Sequence, residues 1–341
     1  LSLHEKEGIV MDYTVLENTE THSYDSLKEE FSLAVLLGFS NDRKWLPSKF
    51  FYDDEGSRLF AKITDVEEYY PTKCEQEIFE TNGSKIVSLI GDAKTNIIEL
   101  GAGDGRKTKI LLSEMFKQKK DFEYQPIDIS TDAIVGLSSA LEKEFPNLKH
   151  HGVVAQYIPG LNWLTQKNEG RNFILFLGSN IGNFHTPDAI VFLRTLWNSM
   201  NDGDLLMIGF DLKKEIDVLL HAYNDSQGVT SAFNLNILTR INNQLGGHFE
   251  ISNFRHFGTY NPHLGSMESY LISMTDQTVR IDALEKDFHF APFEPIHLEF
   301  SYKYLNREIK SLADETGFEI VSSFKDSKNY FVDSIWRAKK N

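Results

Sequence analysis

Apolar positions recur at helical spacing over residues 23–38 and again over 73–90, where Ile78, Phe79, Ile86, Val87 and Ile90 make one face. From residue 95 the pattern becomes an alternation of short apolar runs and helical stretches. Thr95–Leu100 reads as a strand, 107–116 as a helix, 123–127 as a strand ending at Asp128, and 131–145 as a helix. Residues 173–177 form another strand of the buried kind, followed by a helix over 186–200 and a strand over 205–210. This rhythm predicts a mostly parallel sheet covered on both faces, an α/β fold.

Residues 213–301 break the rhythm. They read as helices over 214–224 and 230–246, then as long alternating segments such as 266–275 and 297–304. After a helix over 306–316, strands over 318–324 and 330–337 close the chain as a hairpin across a short polar turn. Upstream, the aromatic stretch 49–64 runs into Glu67-Glu68-Tyr69-Tyr70-Pro71-Thr72, and its rings suit either the core of a small domain or a binding site.

The chain carries 35 basic and 50 acidic side chains, a formal charge of −15. Nucleic acid and acidic membrane surfaces demand a positive footprint, so this balance argues against both as partners. Cys74 is the only cysteine, which excludes an intramolecular disulfide. No histidine pattern beside it suggests an activated thiol, and it is expected to pack as a small hydrophobe. There is no signal-peptide pattern and no apolar run of membrane-spanning length, so a cytoplasmic setting is expected. Met11 is a candidate native start, with residues 1–10 an upstream extension. The 11 histidines, His150-His151 included, show no metal-ligand spacing, and no metal site is expected.

Glu99-Leu100-Gly101-Ala102-Gly103-Asp104-Gly105 lies between a predicted strand and a predicted helix. Glycines there let the backbone turn tightly and approach a ligand. Asp128, at the end of the next strand, can accept from both ribose hydroxyls of an adenosine-containing cofactor. NAD and S-adenosylmethionine both satisfy that pattern. Glu99 disfavours a pyrophosphate and suits a methionyl ammonium, and Lys107 at the helix start can pair with a cofactor carboxylate. An antiparallel last strand is likewise expected of a small-molecule methyltransferase rather than a dinucleotide dehydrogenase. The switch point of such a sheet puts the reacting atoms beside the first and fourth strands. The fourth ends in Leu177-Gly178-Ser179-Asn180-Ile181-Gly182-Asn183.

Several separate motifs accompany that segment: Phe51-Tyr52-Asp53, Glu68-Tyr69-Tyr70-Pro71-Thr72, Ala222-Tyr223-Asn224-Asp225, Gly228-Val229-Thr230 and Glu299-Phe300-Ser301. Together, from about residue 45 to the C-terminus, they resemble the histidine-specific Nα-methyltransferases, which convert histidine to hercynine in ergothioneine biosynthesis. The resemblance implies that Asn183 and Tyr223 hold the substrate carboxylate and that Tyr52 and the Gly178 backbone lie by the amine. It implies that Tyr69, Glu299 and Ser301 surround the imidazole, with Met267 as an apolar wall. Around S-adenosylmethionine it puts Gly101, Lys107 and Asp128, and Glu99 and Gly103 of the glycine loop are expected to join them. Where the family commonly has an Asp reading the adenine amine, this chain has Gln156, whose amide oxygen can accept the same bond.

The fold implied is a Rossmann-like class I methyltransferase sheet with an antiparallel C-terminal hairpin, over residues 73–212 and 302–341. Residues 1–72 and 213–301 then form a smaller α+β substrate domain. L-Histidine is the expected small-molecule partner, and a monomer is expected. Methyl transfer to another amino acid or small amine is the nearest rival. An NAD-dependent oxidoreductase and a catalytically degenerate interaction protein are the others.

Overall fold

The computed structural model describes residues 5–6, 9–10, 12–16 and 24–340; the candidate start at Met11 lies outside them. The chain divides into two compact units. The larger takes the N-terminal segment with Pro71–Lys213 and Lys303–Asn341, and the other takes Asn18–Tyr70 and Lys214–Tyr302.

In the larger unit, strands β1 (Tyr13–Val15), β2 (Thr95–Leu100), β3 (Phe122–Asp128), β4 (Gly152–Val154), β5 (Arg171–Phe176) and β6 (Leu205–Asp211) run parallel. Strand β13 (Phe331–Ala338) pairs antiparallel with both β6 and β12 (Phe318–Lys325). The order across the eight strands is β12-β13-β6-β5-β2-β3-β4-β1. Direction reverses on either side of β2, so the loops after β2 and β5 open at the switch point. Every residue of β2 is buried, its polar Thr95, Asn96 and Glu99 along with Ile97, Ile98 and Leu100.

Helices α3 (Tyr70–Ile90), α4 (Arg106–Lys117) and α5 (Thr131–Glu144) share one core with Ile97, Tyr124, Phe173, Met207 and Ile335. Helices α6 (Tyr157–Thr165), α7 (Thr186–Ser199) and α10 (Asn306–Thr316) bury their own apolar residues, including Leu161, Phe192, Leu196 and Leu312. Helix α6 and the short β4 escaped the sequence pattern. Three residues are too few to show a period, and Pro159 and Gly160 read as a break. Proline in the first turn sacrifices no helical hydrogen bond, and Gly160 lies so close to Ile127 that an added Cβ would sit 2.9 Å from its Cγ2. Strand β1 pairs with β4, so the first residues go with this unit, whereas the sequence boundaries grouped them with residues 18–72.

The second unit contains α1 (Tyr24–Phe39), α2 (Asp54–Asp65), α8 (Ile216–Tyr223) and α9 (Val229–Leu245). Strands β7 (Phe254–Asn261), β8 (Ser266–Ser273) and β11 (Pro295–Tyr302) form an antiparallel sheet ordered β11-β8-β7, and β9 (Gln277–Ile281) pairs with β10 (Lys286–Phe290). Much of the aromatic content goes into its core. Phe39, Phe249, Phe254 and Phe290 meet at ring separations of 5.4–5.8 Å, and Phe50 and Phe51 are buried with Phe31 and Phe233. Asp53 starts α2 by accepting from Gly56 N at 2.8 Å and also receives the Asn236 amide at 2.8 Å.

The turn between α8 and α9 is fixed by its own side chains. Asn224 bonds both backbone groups of Gly258, and Asp225 accepts from the N–H groups of Val229 and Thr230 at 2.9 and 2.7 Å. Burial works against the Asp225 charge, but the Thr230 and Val229 donors outweigh it and lower the pKa. Its stabilisation is therefore present above the ordinary carboxylate range and fades as pH falls through the lowered value. Asp225→Ala is expected to lose about 1–2 kcal/mol, the scale of a lost helix cap. Urea denaturation reads the loss, with Asp225→Asn recovering part of it and approaching wild type as pH falls.

Candidate active site

In the larger unit, the donor residues gather where β2, β3 and β5 end. Gly101 N–H donates to the Ile127 carbonyl at 2.8 Å, which locks the glycine loop to the end of β3. Gly101 has φ of 76° and lies beneath the Tyr157 hydroxyl, which an added Cβ would approach to 3.0 Å. Gly103, at φ 53°, has open space where a side chain would be. The half-buried Asp128 carboxylate accepts from Gly103 N–H at 3.1 Å and Ser130 N–H at 3.0 Å. Burial raises its pKa, and those backbone donors oppose the rise. Gln156 follows β4 as an exposed residue heading α6, its side chain making no cap bond. Glycine cradle, strand-end carboxylate and amide are the donor set that an adenosine-bearing ligand requires.

Behind this surface lies a buried charged cluster. Glu99 is 3% exposed and accepts from the Tyr124 hydroxyl. Burial raises its pKa to about 7, while Tyr124, Thr108 and Lys107 pull it down. The sequence suggested a cofactor carboxylate as the partner of Lys107; here its ammonium pairs with Glu75 of α3. Burial works against that charge, but Glu75 reverses the effect and the Lys107 pKa is raised. After β5, Gly178 at φ 74° donates its N–H to both Glu75 oxygens, at 2.8 and 3.0 Å. A Cβ on Gly178 would lie 3.7 Å from Lys107 Nζ and 3.8 Å from Asn180 Nδ2. The turn continues through Ser179 at φ 58°, whose Oγ accepts from Asp211 N–H at 3.0 Å, to the half-buried Asn183.

In the second unit, the register of β8 against β11 pairs Met267 with Ser301 and Ser269 with Glu299. The next pair is Tyr270 with His297, so Leu298 is an extra residue, a β-bulge. The bulge carries Glu299 to the face where Leu298 and Leu271 enter the core. The apolar row thus ends in a carboxylate, a buried methionine and a buried serine. Tyr223, at the end of α8, donates its hydroxyl to Ser301 Oγ at 2.6 Å, and its carbonyl accepts from His256 at 2.9 Å. Ser226 donates N–H and hydroxyl to Glu68, tying the segment that bears Tyr69 to the Tyr223 turn. Tyr52 is half-buried against Phe60 and Phe233, at 5.5 and 5.7 Å.

The site residues read from the sequence therefore fall into two sets. Tyr52, Tyr69, Tyr223, Met267, Glu299 and Ser301 belong to one unit, and Glu99, Gly101, Gly103, Lys107, Asp128, Gln156, Gly178 and Asn183 to the other. Glu75, Tyr157, Asn180 and Asp333 escaped that reading. For Glu75 a signal existed, because it stands four residues before Phe79 on the apolar stripe of its helix. Asp333 alternates with Phe331 and Ile335 on a buried strand, which is the same signal.

Two outcomes follow for the donor site. Asp128→Ala should weaken S-adenosylmethionine binding by about ten- to a hundred-fold, the effect of charge-assisted bonds worth about 1.5–3 kcal/mol each; calorimetry on the folded variant is the check. Glu99 gains its charge as pH rises through about 7, and only then attracts a ligand ammonium. Affinity for S-adenosylmethionine should therefore tighten across that range, and Glu99→Gln should flatten the dependence.

Comparison with known proteins bears on the same residues. The family described as histidine-specific methyltransferase, SAM-dependent, matches residues 31–338. The chain is 33% identical to a histidine N-alpha-methyltransferase of Mycolicibacterium smegmatis over 311 residues, 91% of this chain and 96% of that one. It is 31% identical to the histidine N-alpha-methyltransferase of Mycobacterium tuberculosis, over 88% of this chain and 92% of that one. An L-tryptophan methyltransferase of Psilocybe serbica is 29% identical, over 83% and 85%. With a glycine cradle and strand-end carboxylate suited to S-adenosylmethionine, and a match spanning nearly its whole length, the chain belongs to the histidine-specific, S-adenosylmethionine-dependent methyltransferase family.

Proposed function

We propose that this enzyme methylates the α-amine of L-histidine, in three successive transfers that give hercynine, as a step of ergothioneine biosynthesis. The observation that carries the substrate is the end of the β8–β11 face, where Glu299 and Ser301 interrupt a row of hydrocarbon side chains. A carboxylate and a hydroxyl there can satisfy both nitrogens of an imidazole. A hydrocarbon side chain would leave them unpaired in a dry setting, at a cost that an apolar slot cannot impose on its ligands. Met267, paired with Ser301 across the β8–β11 register and fully buried, backs this polar pair from the core.

S-Adenosylmethionine supplies an electrophilic methyl group; the chain's own residues supply alignment and exclusion of water. Gly101, Gly103, Asp128 and Gln156 hold the nucleoside end in this proposal, and Glu99 and Lys107 meet the charges of the methionyl end. Tyr52 and the Gly178 backbone orient the acceptor amine, which must be neutral to react. A nearby sulfonium favours that neutral form. No helix among the described residues is long and apolar enough to cross a membrane. We propose a cytoplasmic setting, in keeping with a chain whose single cysteine is buried.

Methylation of tryptophan is the second reading, because a relative bears that name. Glu299 separates the two. Glu299→Gln keeps size and one acceptor but loses charge, and should lower kcat/KM for histidine by about ten- to a hundred-fold, corresponding to about 1.5–3 kcal/mol. Glu299→Leu should lose more and gain activity on apolar amino acids. Transfer of labelled methyl across all proteinogenic amino acids, by wild type and both variants, is the test. A wild type that prefers tryptophan, or variants that leave the histidine rate unchanged, would remove the histidine assignment and leave the methyltransferase intact.

A further inference from the structure

Glu75 is fully buried, and both its oxygens are engaged by the Gly178 N–H and the Lys107 ammonium. Asp333 on β13 is equally buried, yet neither of its oxygens has a hydrogen-bond donor among the described residues. Across the β6–β13 ladder Asp333 faces Gly209. The missing side chain of Gly209 makes room for Glu75, because a Cβ built there would lie 2.3 Å from Oε1. The polar neighbour of Asp333 is thus a second carboxyl. Two adjacent carboxylates out of water cannot both be ionised, and one shared proton converts their repulsion into a hydrogen bond. Glu75 already accepts from an amide and pairs with a lysine, so the proton resides on Asp333.

We propose that Asp333 is held as a neutral carboxylic acid whose O–H donates to Glu75, and that Glu75 is a positioning residue that fixes the Gly178 peptide and aims the Lys107 ammonium at the methyl donor. Burial pushes Asp333 well above the ordinary carboxylate range, the Glu75 charge pushes it further, and Lys107 opposes both. The charged groups facing it are Glu75 from α3 and Lys107 from α4. Its ladder partners, Gly209 and Phe324, are neutral. Glu99 is coupled to the same lysine, with Tyr124 behind it.

A raised folded-state pKa sets the sign. The wild type keeps the full stability of this site below the ordinary carboxylate range and loses it as pH rises toward the folded value. Asparagine at this position donates the same bond at every pH. Thermal unfolding between about pH 5 and pH 9 should therefore show Asp333→Asn gaining on wild type by a margin of several degrees that widens with pH. At neutral pH, calorimetry should find its affinity for S-adenosylmethionine within about two-fold of wild type, while Asp333→Leu, which removes the donor, weakens it about ten-fold. Glu75→Gln should lower kcat more than it raises KM for histidine. A margin that stays flat or narrows with pH overturns the neutral acid. Wild-type affinity in Asp333→Leu, or wild-type kcat in Glu75→Gln, overturns the positioning role. The affinity and rate measurements rest on the donor site assigned above, whereas the unfolding series does not, so the two failures are distinguishable.

Discussion

A carboxylate taken out of water must be met by a donor, a cation or a proton, and the larger unit is arranged around that demand. Glu75, Glu99 and Asp333 are all buried near the ends of β2, β5 and β13; Lys107 pairs with Glu75 and opposes the rise that burial imposes on Glu99 and Asp333. The Gly178 N–H and the Tyr124 hydroxyl supply donors that the lysine cannot. Such a concentration of acid is expensive in a folded core. In the proposed function it faces a methyl donor that carries a sulfonium and an ammonium, charges that a carboxylate can meet. The same need ties the turn after β5 to α3, which fixes the backbone near which the acceptor amine is proposed to react.

The second unit meets a different constraint. Its antiparallel sheet buries one face against α8 and α9, and the proposed function also asks it to present polar atoms to a small ligand. The bulge at Leu298 resolves this by allowing hydrocarbon and carboxylate to follow one another on one face. The Asn224, Asp225 and Ser226 side chains then hold the turn that delivers Tyr223 to Ser301. Motifs that look like binding residues in the sequence are thus partly scaffolding. In Phe51-Tyr52-Asp53, Phe51 is core and the half-buried Asp53 begins a helix, which leaves the half-buried Tyr52.

The long elements were legible because burial on one stripe leaves a period, as in α10, whereas β2, buried on both faces, was marked by its place between helical stretches. The rest had reasons to be silent. Strand β4 is too short for a period, α6 carries its proline in the permissive first turn, and α2 was masked by the aromatic residues before it. The glycine loop and Asp128 could be named because their chemistry is local to the sequence, whereas Glu299 and Ser301 were legible only through the resemblance to the histidine-specific methyltransferases. The partnership of Glu75, Lys107 and Asp333 could not, since it joins positions on three elements through a pairing that only the folded sheet creates. The register shift at Leu298 is equally invisible, because a bulge changes which residues share a face without changing composition.

The acceptor is proposed to be the α-amine of histidine, chosen by a polar pocket for its ring. Incubation with histidine and S-adenosylmethionine carrying an isotopically labelled methyl group, followed by NMR of the product, tests this most directly. The labelled methyl carbons should correlate with the α-proton of histidine, in a product that accumulates methyl groups on that one nitrogen. Label on a ring nitrogen, or no transfer to histidine while another amino acid accepts it, would contradict it.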